Sequence, residues 1–598
     1  MTRSLLTVGA LLALCASALA SAREHAVRVD LDARHQTMEG FGTCIVGWVR
    51  EMTNLYETEQ FQKIYAEDVG CSMLRVNMWG PVHKKQVDDP AAITYRDFDN
   101  TVNNSRPLVY LNFAKALKRR DPSVRIIGTV WSPPPWMKMN RRLTDRRSGG
   151  CRANDYRGLT NRVEAKYFPH FVKWVVEMAK QYRDEGAPFY AISPGNEVQF
   201  TQRFESCVWN GPDFAKIVEM LGDALEKEGL GDIKIFGPET MTSHFYSGGT
   251  GDYIKAVAER PGAMKHMYAF ATHGYEDGVK AEMEASSSAR LWKFVEKYHK
   301  PLWMTEGGTG GHTWPEPIRK GVAIAAHNAL VAGNCSAFVP WQIAEKKEST
   351  HGLMVMERFT PKTCAATHYF KYIRPGAVRV DAAPAFGEVL SSAFVHEEDN
   401  TLTMVLINTA AEGHDVSITF SRAPGMSTFE VRRTSANEGL AEQPALSLSG
   451  DALKLTMPGL SMVTVVGRGE KRVSSTPTAA AGKAAEAPAR SEITPELRAA
   501  VTDMLRRRAA KERNRLWMKV HGRSQRVTVT GASDEGLEVS MNGGLTMTVT
   551  WADIEPADLV RLAAAYGAEQ TDALAAAMIM AEALDMGEYL ATLRKLAE

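Results

Sequence analysis

Eight short apolar runs, separated by longer segments, restrict the fold of this chain more than any other feature. Most of the separating segments carry apolar residues at helical spacing, as residues 167–182 do. Near-continuous apolar strands that alternate with helices are typical of a parallel sheet covered on both faces. The runs begin at Gly40, Cys71, Val124, Pro188, Ile233, Met267, Pro301 and Ser336.

Eight such units within residues 37–376 predict an α/β protein with a (β/α)8 TIM barrel. A doubly wound open sheet is the alternative. It would need a glycine-rich phosphate-binding turn after its first strand, and residues 40–47 lack the full spacing of that turn. We therefore expect a barrel.

The flanking segments follow different patterns. Residues 23–36 read as a lone strand, and residues 377–468 contain short strand patterns separated by turn residues, which predict an antiparallel β-sandwich side domain. Residues 469–493 have the composition of a flexible linker. Residues 494–598 begin with a basic helix and predict a small C-terminal α+β module. This module could bind glycan, tether the chain to a cell surface or mediate assembly.

The first 22 residues have the pattern of a signal peptide. Arg3 precedes an apolar run over residues 5–14, and small residues follow at 18–22. A lipid anchor at Cys15 is the alternative. The run is too short to span a bilayer comfortably, and no other stretch is long enough. We expect a secreted, periplasmic or cell-surface protein without stable membrane insertion.

Charge and cysteine usage exclude several classes of protein. A formal net charge of +1 over 598 residues gives no strong field that would attract nucleic acid. The sequence contains no CxxC or HExxH motif, so we expect no metal site and no cofactor. Among the six cysteines after residue 22, Cys151 and Cys207 are the predicted disulfide pair, and Cys44 and Cys71 are predicted buried thiols.

The carboxyl ends of barrel strands carry the active site in proteins of this fold. Tryptophan rings there stack on sugar rings, while amides and carboxylates bind hydroxyls. The residues at these strand ends therefore predict a carbohydrate substrate. They are Arg75 on strand two, Trp131 on strand three, Asn196 and Glu197 on strand four, His273 and Tyr275 on strand six, Glu306 on strand seven and Trp341 on strand eight.

Glu197 and Glu306 are the candidate catalytic pair, because two carboxylates are what glycosidic cleavage requires. A separation of about 5–5.5 Å would indicate retention of configuration, and about 6.5–9.5 Å inversion. The sequence leaves this distance open. Glu239 ends strand five, and we expect a structural or substrate-orienting role for it. Glu205, in the loop after strand four, is expected to be a solvated residue or to lie at the rim of the site.

Several motifs resemble glycoside hydrolase family 30 of clan A. They are MEGFG from Met38, TVWSPPPWMK, FYAISPGNE, LWMTEGG and YFKYIRPGAVRV, and the resemblance covers residues 26–468. It implies a retaining mechanism with Glu197 as acid/base and Glu306 as nucleophile. It also implies that Asn196 binds the sugar 2-hydroxyl, that Tyr275 or Arg75 orients the nucleophile, and that the strand at residues 26–33 joins the side domain.

The substrate stays open at this point. The family includes glucosylceramidases, glucuronoxylanases and β-1,6-glucanases or galactanases, so both exo and endo action are possible outcomes. The arginine-rich segment 138–161 could wall off a pocket or contact an acidic glycan. A carbohydrate-binding protein without activity is the alternative from another class. The presence of both glutamates favours an enzyme.

Overall fold

The computed structural model describes residues 23–469, apart from residues 48, 147, 243–247 and 276–284, together with short stretches between residues 499 and 593. The chain divides into two compact units, residues 1–475 and 476–598. The predicted signal peptide at residues 1–22 lies outside the described residues. So does the predicted linker after residue 469.

Eight parallel strands form a closed barrel in the first unit, so the barrel prediction is confirmed. The eighth strand pairs with the first through Ala337 with Gly40 and Phe338 with Phe41, which excludes an open sheet. Each strand overlaps one predicted apolar run. Barrel strands one to eight are Gly40–Cys44, Met73–Asn77, Arg125–Thr129, Phe189–Ser193, Lys234–Thr240, Met267–His273, Leu302–Glu306 and Cys335–Phe338.

Helices follow the strands and cover the barrel. Two of the longest have clear start signals: Pro169 lies in the first turn of one, and the Asn210 side chain accepts the Asp213 N–H at the start of the other. The described α-helices are Arg50–Tyr56, Glu59–Lys63, Val102–Arg120, Phe168–Asp184, Gly211–Lys227, Thr250–Ala258, Pro261–His266, Ala285–Val295, Glu316–Arg319, Val322–His327 and Pro361–Phe370.

Side chains fill the barrel in layers. Met73, Ile127, Phe236 and Trp303 belong to an apolar cluster inside the barrel. Because side chains alternate along a strand, Arg75 lies two residues further toward the carboxyl end on the same face as Met73. The barrel interior therefore changes from apolar to polar toward that end, where the candidate site lies.

A polar cluster closes the opposite end of the barrel. The Glu39 carboxylate accepts hydrogen bonds from Tyr190 Oη at 2.5 Å, Tyr268 Oη at 3.0 Å and Trp303 Nε1 at 3.2 Å. The Lys234 ammonium lies 4.0 Å from the ring centroids of both tyrosines. We call these five residues the Glu39 cluster.

The side domain is a nine-stranded sheet folded around its own apolar core, which confirms the predicted sandwich. The strand Arg23–Thr37 pairs antiparallel with Val378–Ala383 and parallel with His414–Phe420, so the sheet is mixed and not purely antiparallel as predicted. Its strands in spatial order are Glu438–Ser447, Thr428–Ser435, Ser461–Arg468, Thr401–Asn408, Val389–His396, Val378–Ala383, Arg23–Thr37, His414–Phe420 and Ala452–Met457.

All six described cysteines are buried free thiols. The predicted Cys151–Cys207 disulfide is therefore wrong. Cys151 instead lies beside Tyr253 Oη, with its sulfur 3.2 Å from that oxygen.

The second unit contains a four-stranded antiparallel sheet in chain order, Arg515–Val520, Arg523–Ala532, Gly536–Met541 and Thr546–Thr550. Helical residues on either side of it in sequence, including 501–506 and 558–560, contribute to one small core. An α+β module is confirmed. Among the described helices of the whole chain, none is long and apolar enough to cross a membrane.

Candidate active site

Glu197 and Glu306 meet at the carboxyl end of the barrel. Glu306 is the last residue of strand seven, and Glu197 follows strand four by four residues. One carboxylate oxygen of each glutamate and one ring nitrogen of His273 lie within 4.8 Å of one another. Both glutamates are buried, with 5% and 7% of their surface exposed.

The backbone at Glu197 adopts a conformation that non-glycine residues rarely use. Its φ is +46°, in the left-handed region. The Glu197 N–H donates to the Glu239 carbonyl at 2.9 Å, and its own carbonyl accepts the Phe200 N–H at 2.8 Å. These two bonds hold the strained turn and point the carboxylate across the barrel mouth.

Arg75 connects three strands beneath the glutamates. Its Nη1 donates to Glu306 Oε2 at 2.8 Å, and its Nη2 donates to Asn196 Oδ1 at 2.6 Å. The guanidinium also lies 4.3 Å from the ring centroid of Trp131. Arg75 is fully buried, so it fixes Glu306 and Asn196 relative to each other from below the site.

His273 lies between the two glutamates. Its Nδ1 is 3.2 Å from Glu197 Oε1 and 3.8 Å from Glu306 Oε2. Tyr275, two residues further along, donates its hydroxyl to Glu306 Oε1 at 3.1 Å. Arg75 and Tyr275 thus each donate to a different oxygen of Glu306.

A cavity of about 480 Å³ opens above these groups. The rings of Trp131 and Trp341 lie 5.9 Å apart at 49° on one part of its wall, and Tyr275 and His351 lie 6.4 Å apart on another. Six of the eight predicted site residues line it, while Arg75 and His273 lie behind its wall. The described lining residues are Cys44, Asn77, Arg106, Tyr110, Trp131, Asn196, Glu197, Gln202, Phe204, Glu205, Tyr275, Glu306, Trp341 and His351.

Known proteins share both the sequence pattern and the fold. The glucuronoxylanase XynC of Bacillus subtilis (strain 168) is 25% identical over 456 residues, which cover 74% of this chain and 91% of that protein. The endo-1,6-β-D-glucanase neg1 of Aspergillus fumigatus is 22% identical over 334 residues, which cover 52% of this chain and 63% of that protein. No family model matches the chain.

A solved structure gives the same assignment for the fold. Xyn30A of Clostridium acetobutylicum, described as a glycoside hydrolase family 30 subfamily 8 xylanase, superposes with a TM-score of 0.58 at 20% identity, over 74% of this chain and 99% of that one. These relatives agree with the resemblance of the sequence motifs to glycoside hydrolase family 30. The family resemblance and the prediction of a glycoside hydrolase are both confirmed.

The charges of the candidate site act on one another. Burial alone would lower the pKa of His273, but the carboxylates of Glu306, Glu197 and Glu239 raise it to about 9. His273 is therefore an imidazolium at neutral pH. Burial raises the pKa of Glu306 above its ordinary value, with His273 and Arg75 opposing that effect and Glu197 adding to it. Ionisation of Glu306 thus depends on two neighbouring cations.

A third carboxylate belongs to this cluster. Glu239 is fully buried, and its Oε1 lies 3.1 Å from Arg75 Nη2 and 3.8 Å from His273 Nε2. Thr129 Oγ1 donates to its Oε2 at 2.9 Å. Burial opposes ionisation, but Arg75 and His273 lower the pKa of Glu239 to about 2.

Sequence reasoning missed several of these neighbours. Thr129 ends strand three, so the strand-end signal that selected the other residues, including Glu239 on strand five, also applies to it. Gln202, which donates to Glu197 Oε2 at 3.3 Å, and His351 lie in loops. No strand pattern indicates loop residues such as these, because their positions depend on the path of the whole loop.

Proposed function

We propose that this chain is a retaining β-glycosidase that cleaves β-linked glycans by double displacement. The spacing of Glu197 and Glu306 carries the proposal. One oxygen of each carboxylate lies within 4.8 Å of an oxygen of the other, which favours the short separation of retaining enzymes, about 5–5.5 Å, over the separation of about 6.5–9.5 Å in inverting enzymes.

In the first step Glu306 attacks the anomeric carbon while Glu197 protonates the leaving oxygen. Arg75 and Tyr275 each donate to one oxygen of Glu306, which orients the attacking carboxylate. Asn196 faces the cavity beside Glu197, where its amide can bind the sugar 2-hydroxyl. Its Oδ1 accepts from Arg75, so its NH₂ group is directed toward the substrate.

In the second step Glu197 acts as the base. After the leaving group departs, Glu197 is ionised and removes a proton from water. The water oxygen bonds to the anomeric carbon as the bond from that carbon to Glu306 breaks, which releases the sugar and restores the Glu306 carboxylate. Trp131 and Trp341 supply aromatic faces for the sugar ring during both steps. His273 is buried behind the carboxylates and supports them without lining the cavity.

Replacement of each glutamate tests these roles. We expect Glu306→Gln to abolish turnover, and Glu197→Ala to lose about 10²–10⁴-fold on a natural glycan. Azide should restore turnover of an activated aryl glycoside by Glu197→Ala and yield a β-glycosyl azide. Glu259→Gln is the matched control, because its side chain is 66% exposed at the end of a helix. Turnover by Glu306→Gln at the wild-type rate would contradict the assignment of Glu306 as the nucleophile.

The segment beside the cavity bears on the class of glycan. The segment 138–161 pairs with the cavity loop through Gly149–Gly150 and Phe200–Thr201, and carries exposed arginines at Arg142, Arg146 and Arg157. We therefore propose to measure hydrolysis of a panel of acidic and neutral glycans. The panel contains xylan, glucuronoxylan, β-1,6-glucan and β-galactan. Product lengths from the same assay separate exo from endo action.

We also propose that the enzyme works outside the cytoplasm. Residues 1–22 have the signal-peptide pattern, and polymeric β-glycans are too large to enter a cell intact. The test is fractionation of an expressing bacterium, followed by sequencing of the mature amino terminus. Retention of the full leader on a cytoplasmic protein would contradict the proposal.

A further inference from the structure

Glu239 is the one member of the described carboxylate cluster that the proposed mechanism does not use. It is fully buried and does not line the cavity, so it is shielded from substrate. Its side chain nevertheless contacts both cations of the site, at 3.1 Å for Arg75 and 3.8 Å for His273. Glu239 contacts Arg75 and His273, and these two cations contact the catalytic glutamates. Its charge can therefore affect the ionisation of both glutamates.

The backbone of Glu239 also supports the acid/base residue. Its carbonyl accepts the Glu197 N–H at 2.9 Å, and its own φ is +50°. Two neighbouring non-glycine residues in the left-handed region are therefore hydrogen-bonded to each other. Such strain persists only where the surrounding structure fixes it, and it concentrates at functional sites.

The charges of the described cluster do not balance when every carboxyl is ionised. Glu197, Glu239 and Glu306 bring three negative charges, and Arg75 and His273 bring two positive ones. Net charge in a buried site is costly, so one proton on one carboxyl is favoured. In the proposed mechanism the general acid Glu197 carries this proton, which makes the resting cluster neutral.

The same balance holds in the second half of the reaction. Once Glu306 has formed a neutral ester with the sugar, its charge is gone, and the ionised Glu197 restores neutrality. The leaving group has taken the Glu197 proton, and the attacking water returns one. The net charge of the cluster stays at zero in both steps only while Glu239 contributes its own negative charge.

We propose that Glu239 is a positioning residue that keeps His273 charged and Arg75 in place, and thereby lets Glu197 alternate between acid and base in a neutral cluster. The inference rests on the proposed retaining function. The groups that face Glu239 are Arg75 from strand two, Thr129 from strand three, His273 from strand six and Thr305 from strand seven.

The charge-removing variant Glu239→Gln tests this through the pH dependence of kcat/KM. Loss of a buried negative charge favours the deprotonated form of every neighbour, so their pKa values fall. Both limbs of the bell-shaped profile should then move to lower pH, by about one unit. Glu239→Asp keeps the charge but shortens the side chain, so its profile should stay in place while kcat falls more than KM changes.

Three outcomes would overturn the inference. They are an unmoved profile for Glu239→Gln, an equal displacement for Glu239→Asp, and a displacement for the surface control Glu259→Gln. If thermal melting shows that Glu239→Gln does not fold, Glu239→Asp decides alone, and a displacement of one unit counts against the inference.

Failure of the proposed function would give a different experimental result. In that case the wild-type enzyme would neither hydrolyse the glycan panel nor form an ester at Glu306 with an activated 2-fluoro glycoside, as mass spectrometry would show. If the wild type is active and becomes labelled, but the pH profile of kcat/KM is the same for Glu239→Gln as for the wild type, only the role of Glu239 is overturned.

Discussion

At the scale of single residues, the site is a network in which each charge depends on the others. His273 illustrates this, because an isolated histidine is neutral through most of the physiological range and this one is held as a cation by three carboxylates. Glu306 needs that cation and Arg75 to stay ionised, since its burial acts in the opposite direction. Removing one partner therefore changes the others.

His273 should make stability depend on pH. Its pKa rises from 6.5 to about 9 on folding, so its contribution to the free energy of unfolding is fully present below about pH 6.5 and is lost as pH rises through 9. We expect His273→Gln to be less stable than the wild type at pH 6 and to approach it at pH 9.5. Denaturant unfolding at several pH values measures the difference. A pH-independent difference would contradict the prediction.

At the scale of elements, the two ends of the barrel strands have different roles. Strand four begins at Phe189 and Tyr190, where Tyr190 bonds Glu39, and it leads to Asn196 and Glu197 at the other end. Strand six likewise runs from Tyr268 in the Glu39 cluster to His273 in the site. The amino-terminal ends therefore hold the barrel together, and the carboxyl-terminal ends carry the chemistry.

The Glu39 cluster should affect stability without affecting turnover. Glu39→Ala removes the acceptor of three hydrogen bonds, one from the buried Trp303 and two from half-buried tyrosines, at a cost of about 1–3 kcal/mol in the free energy of unfolding. We expect kcat/KM of the folded enzyme to remain within about twofold of the wild type. Glu57→Gln on the exposed surface is the control. A large loss of turnover in a fully folded Glu39→Ala would contradict this division.

At the scale of the whole molecule, the chain contains two separately packed units. The barrel and the side domain share one unit, with the first strand, Arg23–Thr37, built into the side sheet. The groups of the candidate site therefore all belong to residues 1–475. The second unit has its own sheet and its own small core.

A chain that ends after Ser475 tests the role of the second unit, for which we propose binding to glycan or to a cell surface. We expect the shortened enzyme to keep its kcat/KM on a soluble oligosaccharide within about twofold, and to lose activity on insoluble glycan or on whole cells. Pull-down of residues 476–598 with insoluble glycan is the direct measurement. Equal losses on soluble and insoluble substrate would indicate a stabilising role instead.

The sequence by itself determined the barrel and most of the site. Apolar runs fix which residues are strands, and the carboxyl ends of parallel strands meet at one edge, so Glu197 and Glu306 could be placed together from periodicity alone. The mixed side sheet and the wrong Cys151–Cys207 pair mark the limit of this reasoning. Both depend on contacts between segments distant in sequence, which local patterns do not encode.

Only the tertiary structure decided what surrounds the two glutamates. The distance between their oxygens, the position of His273 between them, and the reach of Glu239 to both cations arise where five strands converge. Electrostatic energies depend on separations of a few ångströms and on burial. A linear sequence gives the identity of each charge, and the fold alone gives the distances through which those charges act.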